Sequence, residues 1–202
     1  MRLSHAKWVL GFTLIELMVT LAVMAIVLVA AVPSFVDFFD KNRVRGAADG
    51  VISVISNARA ESVKNDLDVN LAFTGSGTAW CLGANAALAP GATGGPPFGS
   101  PAPGATACTC TDPTSTTQCR VSGQRSAVEV AAYPGVAIGA LPAATIFDGK
   151  LGAISPLGVR NVTLTSPKGK YDLTVEVNAL GQARLCVPTG KPSIAGIAAC
   201  AP

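Results

Sequence analysis

The chain opens with a run that has no polar face. From Phe12 to Val32 only Thr13, Glu16 and Thr20 interrupt apolar side chains, which meets the roughly 20 residues a helix needs to span a bilayer. Pro33 lacks a backbone N–H and predicts a kink, after which Phe35, Phe38 and Phe39 keep the chain apolar near the interface. From Val44 the pattern changes. Val44, Ala47, Ala48, Val51, Ile55 and Ala58 recur every three or four residues, while Arg45, Asp49, Ser53, Ser56 and Lys64 take the opposite side; this predicts a helix with one buried stripe. A continuous helix from Phe12 to Lys64 would be about 80 Å long. Gly46 and Gly50 weaken it by up to about 1 kcal/mol each relative to alanine, so docking on a head must supply much of its stability.

Nearer the C-terminus the period becomes two. Tyr171, Leu173, Val175 and Val177 alternate with Asp172, Thr174, Glu176 and Asn178, predicting a strand with one buried and one wet face. Asn178-Ala179-Leu180-Gly181 reads as a turn and Ala183 to Val187 as the returning strand. Val69 to Phe73, Ala79 to Leu82, Ser126 to Ala132, Thr145 to Phe147 and Val162 to Thr165 are shorter strand candidates. The fold class expected is α+β, with an antiparallel sheet laid on the long helix. Residues 83–107 are rich in Ala, Gly and Pro and carry no charge, so they read as a long exposed insertion, a spacer or a recognition loop.

Charge sets the orientation. Arg2 and Lys7 precede the apolar run, and Asp37 and Asp40 are the first charges after it, so the positive-inside rule exports the bulk of the chain. Cys81, Cys108, Cys110, Cys119, Cys186 and Cys200 are an even set, suited to bridges in an oxidising compartment. All pairings remain open; Cys186 with Cys200, and local bridges among the other four, are favoured. A zinc reading of Cys108, Cys110 and Cys119 lacks the usual C-x₂₋₄-C knuckle and its second half.

Within the apolar run Glu16 is the one carboxylate. Near the bilayer centre such a group costs up to about 2.5–3.5 kcal/mol, less toward the interface, and it usually has a specific partner. A short basic leader with Arg2, His5 and Lys7, then Gly11 and the residues FTLIEL from Phe12, resembles the prepilin signature of type IV pilins and type II secretion pseudopilins. The resemblance implies cleavage between Gly11 and Phe12 by a prepilin peptidase, N-methylation of Phe12, and pairing of Glu16 with the terminal ammonium of a neighbouring subunit. Two plainer readings compete. A secretory signal could be cut near Val29-Ala30-Ala31-Val32, but its apolar core would exceed the usual 7–15 residues. A simple single-pass anchor, like the secretory signal, leaves Glu16 unexplained.

NARAESVKNDLDVNL, from Asn57 to Leu71, and GKYDLTVEVNALGQARLC, from Gly169 to Cys186, resemble the helix-to-strand passage and the C-terminal hairpin of the GspH/FimT group of minor pilins and pseudopilins. The organisation implied is a leader at 1–11, a transmembrane helix at 12–36, its amphipathic continuation at 37–68, and a β-rich extracytoplasmic head at 69–202 with the insertion at 83–107. The implied protein is a non-enzymatic filament subunit held in the inner membrane, head in the periplasm, until it joins a pilus or pseudopilus. Its implied partners are other pilins, the peptidase, and an assembly platform with its ATPase.

Catalysis is argued against by residue types. The single histidine, His5, lies in the leader, so the processed chain has no imidazole for a nucleophile–base pair. Neither a phosphate loop nor an H-E-x-x-H helix occurs, Asp66 and Asp68 are too sparse for a hard-cation cage, and no cofactor is expected. The alternative is DNA binding, since some members of the group are DNA receptors in natural transformation with a basic G-R-x-R motif. Gly181-Gln182-Ala183-Arg184 stands at those positions, without the first arginine; Arg184 and Lys191 would be the contacts. The chain's net charge of +3 loses two units with Arg2 and Lys7, a weak basis for phosphate binding.

Overall fold

The computed structural model describes residues 12–86, 119–121, 124–140 and 145–201. Gly11, Cys108, Cys110, the leader and residues 87–107 of the expected insertion lie outside the described residues. One helix, α1, runs Leu14–Asn65, and the chain divides into two compact units, Met1–Phe39 and Asp40–Pro202.

In the first unit the helix is apolar on every side. Each large apolar side chain from Leu14 to Val29 is at least 54% exposed, a surface that demands cover from lipid or from other helices. Among the described residues no helix is long and apolar enough to cross a membrane.

The second unit starts with the remainder of α1. Val44, Ala47, Ala48, Val51, Ile55 and Ala58 are all buried, while Arg45, Asp49, Ser53, Ser56 and Lys64 are exposed. The two glycines have a packing role beyond their propensity cost: a Cβ on Gly46 would lie 3.0 Å from Tyr133 Cε1, and one on Gly50 3.1 Å from the Tyr133 hydroxyl. Their bare backbone lets that ring lie against the helix. The helix ends at Asn65, one residue past the Lys64 expected from the sequence. Asp66 takes a left-handed φ of 52° and Leu67 N–H donates to Ser62 O (3.1 Å), the hydrogen bond of a Schellman cap.

The strands that follow are β1 (Val69–Ser76), β2 (Ala79–Ala86), β3 (Arg120–Val121), β4 (Gln124–Arg125), β5 (Ala127–Glu129), β6 (Ala137–Ile138), β7 (Thr145–Phe147), β8 (Ile154–Ser155), β9 (Arg160–Thr165), β10 (Asp172–Val177) and β11 (Ala183–Cys186). They form a five-stranded sheet ordered β5-β2-β1-β7-β8, a four-stranded sheet ordered β11-β10-β9-β6, and a β3-β4 hairpin, with every strand pair antiparallel. One hydrophobic core joins the helix stripe to both larger sheets, through Leu82 and Phe147 on one side and Leu164, Leu173 and Val175 on the other.

Three expectations need correction. The insertion does not begin at residue 83, because β2 continues to Ala86 with Gly83 paired to both Ala72 and Ala127; a strand held on both edges tolerates small residues that composition assigns to a loop. Val130–Ala132 is a 3-10 turn rather than the end of a strand. The outer face of β10 is not wet, since Asp172 and Thr174 are buried and Glu176 half-buried. There Thr174 Oγ1 meets Thr163 Oγ1 at 2.9 Å, Lys191 pairs with Asp172 at 2.9 Å, and the tail beyond Val187 is bound back by Cys186–Cys200. Alternation along a strand reports which residues share a face, and only the rest of the chain decides whether that face meets water.

Candidate functional site

The N-terminal end of α1 is built around Thr13. Its carbonyl accepts the N–H of Leu17 (3.2 Å) and its Oγ1 accepts the N–H of Glu16 (3.3 Å), so Thr13 is the N-cap and Glu16 the third residue of the first turn. Threonine followed at that spacing by glutamate is the capping-box signature. The signature is legible in FTLIE from the residue types alone. Two local effects hold Glu16 there: the capped first turn, and the partial positive charge of the helix N-terminus, which favours an acidic side chain. Thr20 turns its hydroxyl back to Leu17 O (2.9 Å) and closes its own polarity. Glu16 and Phe12 are both exposed, and no cation among the described residues pairs with the carboxylate.

A second convergence lies at the C-terminal end of the helix, around Arg59, which no local sequence pattern distinguishes. Arg59 Nε donates to Gly152 O (3.1 Å) and to Leu180 O (3.0 Å). The first acceptor sits in the β7–β8 loop of the five-stranded sheet and the second in the β10–β11 turn of the four-stranded sheet, so one side chain ties both sheets to the helix. The approach is close: a Cβ on Gly181, which has φ +74°, would lie 2.4 Å from Gly152 O and 3.0 Å from Arg59 Cδ. Glycine is needed there for space and for the left-handed conformation alike.

The cysteines and cations named from sequence are distributed as follows. Cys186 and Cys200 are joined, with an S–S distance of 2.06 Å and Cα atoms 4.8 Å apart. Cys81 and Cys119 are each engaged in a disulfide, which removes Cys119 as a thiolate ligand and with it the zinc reading. Glu176, Cys186 and Cys200 bring ligand-type atoms within 4.8 Å of one another. Both sulfurs are spent in the bridge, however, and Glu176 Oε2 is held by Arg184 Nε at 2.5 Å, so this cluster is a cross-link beside an ion pair.

That ion pair also bears on nucleic acid. Arg184 stands directly opposite Glu176 in the β10–β11 register, and Lys191 is held by Asp172 at 2.9 Å. Both candidate DNA contacts therefore have carboxylate partners on β10. Gln182, at the position of the missing arginine, is used inside the turn: its N–H donates to Asn178 Oδ1 (2.9 Å) and its Oε1 accepts from Asn178 Nδ2 (3.0 Å).

Comparison with known proteins adds two findings. A family model described as the prokaryotic N-terminal methylation motif matches residues 10–32, the segment that contains Gly11, Phe12, the Thr13 cap and Glu16. No curated protein matches the chain. Among solved structures the chain is similar to the type IV minor pilin FimU of Pseudomonas aeruginosa (strain PAO1), with 14% identity and a TM-score of 0.42, over 73% of this chain and 91% of that one. A likeness so distant carries no argument about function. The chain thus carries a prokaryotic N-terminal methylation motif at residues 10–32, and the later part of its long helix is laid on antiparallel sheets.

Proposed function

We propose that this chain is a non-enzymatic minor pilin or pseudopilin of the GspH/FimT kind, cut by a prepilin peptidase between Gly11 and Phe12, N-methylated at Phe12 and assembled through Glu16. The apolar run from Phe12 to Val32 holds the unassembled protein in the inner membrane with its head in the periplasm. In the filament the same run packs among the helices of other pilins. An assembly platform and its ATPase drive its entry into a pilus or a type II secretion pseudopilus.

The observation that carries this reading is the placement of Glu16 within the matched motif. The carboxylate is held on a capped first turn, exposed, with no described cation of its own. In an apolar environment such a charge is costly unless neutralised. Cleavage after Gly11 creates an ammonium four residues away in sequence, on this chain and on each neighbour. The DNA-receptor alternative is disfavoured by the carboxylate partners of Arg184 and Lys191.

The direct test is the N-terminus of the protein recovered from cells that have a prepilin peptidase. Mass spectrometry should find a chain beginning with N-methylated Phe12, and replacement of Gly11 should leave the leader attached. A mature chain beginning at any other residue would refute the proposal.

A further inference from the structure

We infer that the head carries a docking groove for an apolar peptide segment of a partner protein that bears a carboxylate, with Arg59 as its anchor. The groove lies within the unit Asp40–Pro202, between the C-terminal part of α1, the β7–β8 loop and the β10–β11 turn, and it does not depend on the processing or assembly proposed above. Arg59, Val63, Lys64, Leu151 and Gln182 are among its lining residues, and its volume is about 590 Å³, within the roughly 300–1,000 Å³ of sites that hold compact ligands. Three distant stretches of chain are brought together to form it. A Cβ on Gly152 would lie 2.8 Å from Val63 Cγ2, one on Gly181 would lie 2.4 Å from Gly152 O, and the Ile154 N–H donates to Ala179 O (3.0 Å).

Exposed apolar surface of the head is concentrated around this groove. From Asp40 onward, the large apolar side chains that remain exposed among the described residues are Val63, Leu151, Leu157, Val159 and Leu180. Val63 and Leu151 line the groove, Leu180 precedes Gly181 at its edge, and Val159 lies with Gln182 and Ala183 on the adjoining depression. Leu157 belongs to the same β8–β9 loop as Val159. Single exposed apolar residues are ordinary, whereas their convergence around one concavity marks an interaction surface.

Charge complementarity selects the occupant. Arg59 Nε is held by the Gly152 and Leu180 carbonyls, while Nη1 and Nη2 make no hydrogen bond or ion pair with any described residue. The guanidinium is thus fixed in orientation with its outer N–H groups unused, the arrangement that receives a carboxylate through two parallel hydrogen bonds. Gln182 Nε2 is a further unused donor. Among the described residues no carboxylate lines the groove, and Lys64 is set against Glu61 at 3.3 Å. One unpaired cation is too few for a nucleic acid, whose affinity comes from several phosphate contacts. A free carboxylate would leave Val63, Leu151 and Leu180 uncovered, so an acidic residue flanked by apolar ones matches both features of the groove.

The test is an NMR titration of the isotope-labelled full chain in detergent micelles with acetyl-Leu-Glu-Leu-amide, with acetyl-Leu-Gln-Leu-amide and with sodium acetate. The Arg59 Nε–H and the amides of Leu151 and Gln182 should shift with the acidic peptide below about 10 mM. The amide twin should bind about fivefold more weakly, and acetate should move none of these signals. Leu151 is 77% exposed, so Leu151→Asp leaves the fold intact while setting a like charge beside the site; it should weaken the acidic peptide by about tenfold. Equal affinity for the two peptides, shifts produced by acetate, binding untouched by Leu151→Asp, or no shift at all overturns the inference. Shifts of the same signals with protein concentration alone assign the groove to a second copy of the chain and overturn it as well.

Discussion

The buried carboxylate at the start of the head makes the sharpest stability prediction. Asp40 and Ser166 are 4% and 2% exposed, and Asp40 accepts the Ser166 hydroxyl at 2.8 Å and the Lys168 N–H at 3.0 Å. Ser166 Oγ in turn accepts the N–H of Tyr171 (3.1 Å), so one side chain organises the whole β9–β10 turn. Hydrogen bonds to a charged group contribute about 1.5–3 kcal/mol each. Asp40→Ala removes both and strands a buried hydroxyl and an amide, for an expected loss of about 3–5 kcal/mol. At about 2–4 °C per kcal/mol for a unit of this size, the midpoint should fall by about 6–20 °C. Asp40→Asn retains one acceptor and should lose about half as much. The assay is thermal unfolding of the detergent-solubilised protein by tryptophan fluorescence. Trp80, 3% exposed with its indole N–H on Val136 O (2.9 Å), reports the head. A shift under about 2 °C for Asp40→Ala, or an Asn variant as damaged as the Ala one, would refute the reasoning.

Three more outcomes are expected. Arg59→Ala should destabilise the head by about 1–3 kcal/mol in urea titrations, because it leaves the Gly152 and Leu180 carbonyls without their donor and removes a stem packed on Gly181; an unchanged midpoint would remove the role assigned to it. Cys186→Ser/Cys200→Ser opens a link across 14 residues of chain, which should cost about 3 kcal/mol by loop entropy, read as a lower denaturation midpoint under oxidising conditions. Glu16→Ala should insert and be processed normally yet be lost from sheared filaments on immunoblots, and undiminished incorporation would count against the Glu16 contact.

What could be read from the chain alone was whatever depends on neighbours in sequence. The stripe from Val44 to Ala58 is buried as its spacing implies, since a helix places residues three and four apart on one side whatever lies beyond. The register of β10 with β11 follows a turn whose residues bond one another, Gly181 N–H to Asn178 O at 2.8 Å. The T-x-x-E cap at Thr13 and Glu16 is equally local. Tertiary structure decided where a face met something else. It covered the polar side of β10 with a bridged tail, carried β2 through Gly83 to Ala86 between two partners, and set Gly46 and Gly50 beneath Tyr133. It also gave Arg59 and Asp40 their purpose, because their acceptors and donors lie roughly 90 to 130 residues away along the chain. Periodicity is a property of the local backbone and survives in one dimension, whereas the occupant of a face is fixed only when distant segments compete for it in three.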